Sequence, residues 1–235
     1  MKKTKKILFF IVEGPSEKTA LGTILSNLFN ADDVVVEITF GDVTTKTGNN
    51  NGNIVAELGD IINKWQKRNP YLRFSDLAEI IHLIDTDGLY IPEIKIIEAP
   101  SEHKAVYKDS VIEIDSPKKI VDRNEQKQKI VDRLITLPLL KTCKYSMYYF
   151  SCNLDHVLHN DANLSDNKKV PMAVGFANKY NEDPERFVEF ISDDTIAVKK
   201  SYEDSWAYLK KDCNSLKRGT NFNLFFDDGM AKNAK

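Results

Sequence analysis

The chain has 235 residues, of which 42% are hydrophobic and 29% are charged, and its formal net charge is −2. This composition is typical of a globular protein with a sizeable core, and a slightly acidic chain has no overall attraction for phosphate backbones. The three cysteines have no C-x-x-C spacing, which argues against a disulfide framework and a structural zinc site. No apolar run reaches membrane-spanning length and residues 1–12 lack a signal-peptide cleavage site, so we expect a cytoplasmic protein.

The first part of the chain alternates apolar runs with helical patterns. The elements predicted there are a strand at 7–12, a helix with Ser16 as its N-cap and apolar residues at 20–28, a strand at 34–40, a helix at 54–65 and a strand at 79–84. The run at 7–12 is unbroken, which is typical of a strand that is buried on both faces. This β-α-β-α-β order predicts an α/β fold with a mostly parallel sheet flanked by helices.

The pattern weakens after Gly88. The elements predicted there are short strands at 94–97 and 111–114, an amphipathic helix at about 123–134 with Lys and Gln on its polar side, a strand at 145–150 that turns into a helix, and helices at 172–180, 184–191 and 201–211. We therefore expect a catalytic domain at 1–160 with an insertion at about 89–140. A helical C-terminal extension at 161–235 would pack on it.

Acidic residues stand where the predicted strands end. Glu13 and Glu17 follow the first strand, Asp85 and Asp87 follow the third, and Asp155 follows the strand at 145–150. Because neighbouring parallel strands share one carboxyl edge, these acids can meet although they are far apart in sequence. Carboxylates are preferred ligands of Mg²⁺, and two ions roughly 4 Å apart can activate water for phosphodiester hydrolysis.

Each of these patterns also has a purely structural interpretation. Asp-Thr-Asp-Gly at 85–88 forms a good turn after a strand, and Glu13 or Glu17 can serve the positive end of the following helix. His156 and His159 share a helical spacing, but no third zinc ligand accompanies them, so we interpret them as structural or surface residues.

Two motifs resemble a known domain. An apolar strand followed by Glu13-Gly14 and a helix, and a later apolar strand followed by Asp85-x-Asp87-Gly88, resemble the Toprim domain of topoisomerases, primases and several nucleases. The string Glu-Gly-Pro-Ser-Glu-Lys at 13–18 is most similar to that of the OLD-family nucleases. The resemblance covers roughly residues 5–160 without the insertion, and it implies a Toprim-like sheet.

The resemblance also implies a metal-dependent endonuclease, a hydrolase that uses Mg²⁺ or Mn²⁺, with two ions in its site. Its metal ligands would be Glu13, Glu17, Asp85, Asp87 and Asp155, the last at a position that is usually Glu in relatives. Glu13, Asp85 and Asp87 would also be catalytic. Lys217, with Arg218 beside it, is the cation predicted to steady the charge of the phosphate.

The resemblance bears on partners as well. OLD proteins carry an ATPase domain, whereas this chain contains no G-x-x-x-x-G-K-[ST] string. It is therefore similar to the stand-alone Toprim proteins of bacterial anti-phage and abortive-infection systems, in which an ATPase is a separate partner. We expect DNA or RNA as the substrate, an ATPase or regulatory protein as the partner, a homodimer as one option for assembly, and no membrane.

The sequence is also compatible with two other functions. One is a non-catalytic Toprim subunit that binds nucleic acid or a partner protein. The other is a phosphatase similar to the haloacid dehalogenases, in which the first Asp of an Asp-x-Asp motif is the nucleophile. That family places the motif on its first strand, whereas here it follows the third.

Overall fold

The structure, a computed structural model, describes residues 6–29 and 34–227. Its strands in chain order are β1 (Lys6–Val12), β2 (Val34–Phe40), β3 (Leu77–Asp85), β4 (Ile96–Glu98), β5 (Val106–Tyr107), β6 (Ile112–Ile114), β7 (Leu139–Leu140), β8 (Cys143–Ser151) and β9 (Gly219–Thr220).

Eight α-helices flank these strands in the described part of the chain. They are α1 (Pro15–Leu28), α2 (Ile54–Arg68), α3 (Pro117–Leu134), α4 (Leu154–His159), α5 (Asp166–Tyr180), α6 (Glu185–Ile191), α7 (Tyr202–Leu209) and α8 (Asn223–Asp227). Within the same ranges, no helix combines the length and the apolar character that crossing a membrane requires.

The central sheet is mostly parallel, which confirms the predicted fold class. Its strand order is β2-β1-β3-β8-β7, with β9 also paired to β8. Strands β2, β1, β3 and β8 are parallel to their neighbours, and only the short β7 and β9 run antiparallel to β8. This topology is consistent with a Rossmann-like or Toprim-like α/β fold. A small second sheet, β4-β6-β5, lies in the region predicted as an insertion.

Both faces of β1 are buried, and this explains its unbroken apolar run. Phe10 contacts Phe225 of α8 on one face, with ring centroids 5.6 Å apart, and Phe9 contacts Trp65 of α2 on the other, at 5.0 Å. Each such side chain contributes about 1.5–3 kcal/mol relative to an exposed one. The C-terminal helices thus share a hydrophobic cluster with the first strand.

Two details differ from the sequence predictions. Gly14, not Ser16, is the N-cap of α1, because Pro15 occupies the first turn, where its fixed φ suits a helix start. Helix α3 also begins six residues earlier than predicted, at Pro117, for the same reason.

Gly88 provides a test of the turn that follows β3. Its φ is +70°, and an added Cβ would lie 2.7 Å from Ile112 Cδ1 and 2.8 Å from Leu216 Cδ2. We expect Gly88→Ala to lower the free energy of unfolding by about 2 kcal/mol, because it combines left-handed backbone strain with a clash. Urea denaturation measures this change.

The matched control is Gly175→Ala. Gly175 is exposed within α5, and an added Cβ has no neighbour within 4 Å. Alanine there should raise the free energy of unfolding by about 0.5–1 kcal/mol. Equal effects of the two substitutions would contradict the described turn.

Candidate active site at the carboxyl edge of the sheet

An acidic residue stands at the carboxyl end of each of the four neighbouring parallel strands. Glu13 follows β1, Asp42 follows β2, Asp85 ends β3, and Asp155 lies in the helix after β8. These strands are adjacent in the order β2-β1-β3-β8. The structure therefore places the predicted acids Glu13, Asp85 and Asp155, together with Asp42, along one edge of the sheet.

The turn after β3 is tightly fixed to the end of β8. The backbone N–H of Asp87 donates to the carbonyl oxygen of Cys152 at 2.7 Å, and the Thr86 hydroxyl donates to that of Ser215 at 2.9 Å. Asp87 and Gly88 both have positive φ, of 50° and 70°. Asp and Gly tolerate this conformation better than most residues, so the Asp-Gly pair suits the turn.

Lys127 of α3 joins two of the acids. Its Nζ lies 2.8 Å from Asp87 Oδ2 and 3.5 Å from Glu13 Oε1, and its side chain is 0% exposed. The Thr44 hydroxyl also donates to Glu13 Oε1, at 3.2 Å. Burial disfavours the ammonium, but Asp87 and Glu13 outweigh it and raise the pKa of Lys127 above its usual value. Lys127 is thus a fully buried counter-ion.

Neighbouring residues of α3 hold this lysine in place. Arg123 donates to the carbonyl oxygen of Asp87 at 2.6 Å, and Asn124 donates to that of Gly88 at 3.2 Å. One turn along, Gln126 donates to the carbonyl oxygen of Asn49 at 2.9 Å. Helix α3 is therefore clamped to the turn after β3 and to the loop after β2.

The acids of this cluster have different affinities for protons. Burial, with repulsion from Asp87, Asp42 and Glu17, raises the pKa of Glu13 to about 8 although Lys127 opposes this shift. Burial opposes ionisation of Asp87 too, but Lys127 and Arg123 hold its pKa below the usual value. At neutral pH Asp87 is thus ionised, whereas Glu13 beside it holds a proton.

Asp85 is the most strongly perturbed acid of the β3 end. Its Oδ1 accepts the backbone N–H of Leu154, at the start of α4, at 2.9 Å. Burial and repulsion from Glu13 and Asp87 raise its pKa well above the usual value. A cation placed among these three carboxylates would reverse the effect.

Glu17 and Asp155 lie at the rim of the cluster. Gly14 leaves space for the Glu17 carboxylate, since an added Cβ would lie 2.8 Å from Glu17 Oε2. Burial raises the pKa of Asp155 to about 6, against the opposing charge of Lys169, whose Nζ is 3.9 Å away, and with a further contribution from Glu17. Both acids are electrostatically connected to the centre, but neither contacts Lys127.

Lys217, the cation predicted to steady the phosphate, has a partner outside the acidic cluster. Lys217 is exposed and its Nζ donates to Asn214 Oδ1 at 3.0 Å. The Arg218 guanidinium donates to the backbone carbonyl of Val157 at 2.6 Å. His159 packs its ring against Phe176, with centroids 5.8 Å apart. The structure thus gives Lys217 and Arg218 partners other than the acids, and Lys127 occupies the central cation position.

The donor set suits a hard divalent cation by its chemistry, because Glu13, Asp85 and Asp87 are carboxylates that repel one another at the end of a sheet. Within residues 6–29 and 34–227, however, no three His, Cys, Asp or Glu side chains are already grouped to hold a metal ion. Binding would therefore require these side chains to adjust around Lys127.

Four residues of this site were not predicted from the sequence: Asp42, Thr44, Arg123 and Lys127. Asp42 carries a signal, since it follows a parallel strand as Glu13 does. Lys127 carries one too, because the buried stripe of α3 runs through residues 120, 124, 127, 131 and 134 at helical spacing. A lysine inside such a stripe indicates a buried carboxylate partner.

A comparison of the chain with protein-family models, with curated proteins and with solved structures finds no match. The resemblance to the Toprim domain therefore rests on the two strand-end motifs.

The raised pKa of Glu13 gives a prediction for metal-free protein. Its stabilising contribution is complete below the unfolded value of 4.5 and is lost as the pH rises through about 8. In EDTA, the free energy of unfolding should therefore fall between pH 5 and pH 8, by roughly 2–4 kcal/mol from this group. Glu13→Gln should reduce that fall, as measured by urea denaturation at each pH.

The control for this experiment is Glu125→Gln, which changes an exposed acid of α3. It should keep the pH dependence of the wild type. If Glu13→Gln also kept it, the proton affinity assigned to Glu13 would be wrong.

Proposed function

We propose that this protein is a divalent-metal-dependent nuclease that hydrolyses phosphodiester bonds. The observation that carries the proposal is the meeting of Glu13 and Asp87, from neighbouring parallel strands, at 3.5 and 2.8 Å from one buried ammonium, that of Lys127. The negative charges of both acids act on Asp85 and raise its pKa, in addition to the larger effect of burial. Clusters of this kind, with perturbed proton affinities in a strand-end crevice, are candidate catalytic sites.

Glu13, Asp85 and Asp87 are the residues that would hold Mg²⁺ or Mn²⁺, with Glu17 and Asp155 at the rim. The bound cation would polarise the phosphate, lower the pKa of an attacking water and stabilise the leaving oxygen. The resemblance to OLD-family Toprim domains supports this choice of ligands and of chemistry.

The chain itself supplies proton transfer and orientation. In the metal-free site Glu13 has a pKa of about 8, and its side chain is 14% exposed, so it can exchange a proton with water near neutral pH before a cation binds. The Thr44 hydroxyl orients its carboxylate. Lys127 keeps Asp87 ionised, and the bond from Arg123 to the Asp87 carbonyl fixes the turn that carries it.

The biological setting follows from the same resemblance. We propose an effector of a bacterial anti-phage system that acts in the cytoplasm on DNA or RNA, together with a separate ATPase or regulatory protein. A net charge of −2 gives no general affinity for nucleic acid, so substrate binding would depend on local basic groups and on the metal.

A second candidate function is a non-catalytic subunit that binds nucleic acid or a protein partner. Lys127 favours it, because an ammonium that already pairs with Asp87 and Glu13 can be a structural substitute for a metal ion. The same purified protein distinguishes the two candidates, since only the first cleaves what it binds.

The experiment is a cleavage assay on plasmid, single-stranded DNA and total RNA, with Mg²⁺ or Mn²⁺ against EDTA. We expect metal-dependent cleavage of at least one substrate. The isosteric variant Asp85→Asn/Asp87→Asn should lose on the order of 100-fold or more of this activity, because two metal-binding carboxylates are removed.

The matched control is Asp60→Asn, which alters an exposed acid of α2. It should cleave like the wild type, and circular dichroism should show that both variants fold. Full activity in the double variant would exclude this site, whereas binding without cleavage by the wild type would favour the non-catalytic subunit.

A further inference from the structure

The buried ammonium of Lys127 lies in a position that bears on how many metal ions the site accepts. A two-ion site requires two cations roughly 4 Å apart among shared carboxylates. Lys127 Nζ is 2.8 Å from Asp87 Oδ2 and 3.5 Å from Glu13 Oε1. It therefore fills the space between two of the predicted metal ligands.

We infer that Lys127 takes the place of the second metal ion, so that this site holds one divalent ion together with one lysine. The inference rests on the proposed function. It changes the expected number of metal ions from two, as predicted from the sequence, to one. Lys127 is a positioning residue in this scheme, because it acts through the carboxylates of Glu13 and Asp87.

The charge balance supports a single ion. Glu13, Asp85 and Asp87 carry three negative charges when all are ionised. One divalent ion and the Lys127 ammonium neutralise these three acids. A second divalent ion would leave an excess of two positive charges, which acids outside this group, such as Glu17 and Asp155 at the rim, neither in contact with Lys127, would have to balance. Like charges at such distances in a buried site repel strongly.

The pattern of hydrogen bonds agrees with the charge balance. Lys127, Thr44 and the N–H of Leu154 use one oxygen of each acid, namely Glu13 Oε1, Asp87 Oδ2 and Asp85 Oδ1. Within the described residues, the other oxygen of each acid accepts no hydrogen bond. After the side chains adjust around Lys127, one oxygen of each of the three carboxylates would thus be left for metal, with water available to complete the shell.

Lys127 is also held too firmly to leave the site easily. Its side chain is 0% exposed, and the neighbouring Arg123 and Asn124 bind the carbonyl oxygens of residues 87 and 88. Removing the ammonium from the acids requires α3 to separate from this turn. The lysine is consequently a constant part of the site in the presence of metal.

The test is the number of Mn²⁺ ions bound per chain, measured by isothermal titration and by electron paramagnetic resonance of the bound ions. Wild type should bind one ion with the signal of isolated Mn²⁺. Lys127→Met should bind two, with the signal of a spin-coupled pair, and should bind its first ion at least tenfold more tightly. Lys127→Arg retains the charge and should again bind one.

Lys144→Met is the matched control. Lys144 also pairs with a buried carboxylate, since its Nζ lies 3.2 Å from Glu79 Oε1, but this pair is at the opposite end of β3 and β8. It should bind one ion like the wild type. If Lys127→Met is too unstable to titrate, Mn²⁺ should raise its Tm more than that of the wild type.

The outcomes distinguish a failure of the role of Lys127 from a failure of the metal-dependent function. Two ions in the wild type, or one ion of unchanged affinity and an unchanged Tm response in Lys127→Met, would overturn the role of Lys127 and leave the metal-dependent function in place. Failure of both proteins to bind Mn²⁺ would overturn the metal-dependent function and this inference with it.

Discussion

The ion pairs of Lys127 with Glu13 and Asp87 are the interaction on which the rest of the site depends. A buried charge without a partner costs several kcal/mol, so a lysine with no exposed side-chain surface is compatible with folding only if carboxylates meet it. That requirement fixes the position of α3 over the sheet edge. It also explains why Arg123 binds the backbone of the turn after β3, since the turn must present Asp87 at one place.

The sheet and its acidic edge could be predicted from the sequence because both follow from local patterns. An unbroken apolar run such as 7–12 indicates a strand buried on both faces, and the alternation with helices forces the strands to be parallel. Acids that follow such strands then share an edge whatever their separation along the chain. Asp42 obeys the same rule and could have been found with it, because it follows β2 as Glu13 follows β1.

The partner of the acids could not be predicted in this way, because it lies on an element whose position depends on tertiary contacts. Helix α3 is strongly polar in sequence, and its lysines suggest a solvated face. Only the position of Lys127 in the stripe with Ile120, Val131 and Leu134 distinguishes it from the others. The resemblance to the Toprim domain led to Lys217 instead, but a short 3-10 turn leaves it exposed and bound to Asn214. Helical spacing makes Lys127 a candidate partner for the acids, and its burial in the folded protein then distinguishes it from the other lysines.

The different proton affinities of the three central acids connect the fold to the proposed chemistry. When neighbouring carboxyl groups have different pKa values, one can serve as a fixed charge and another as a proton acceptor. Asp87, beside Lys127, has the first character, and Glu13, with a pKa of about 8, has the second. Under the proposed function, a cation would have to displace the protons that burial keeps on Glu13 and Asp85, so metal affinity would depend on pH through the same residues. Because Lys127 contributes a fixed positive charge to this site, it lowers the proton affinity of the acids beside it, and under the proposed function it would also limit the number of metal ions that bind.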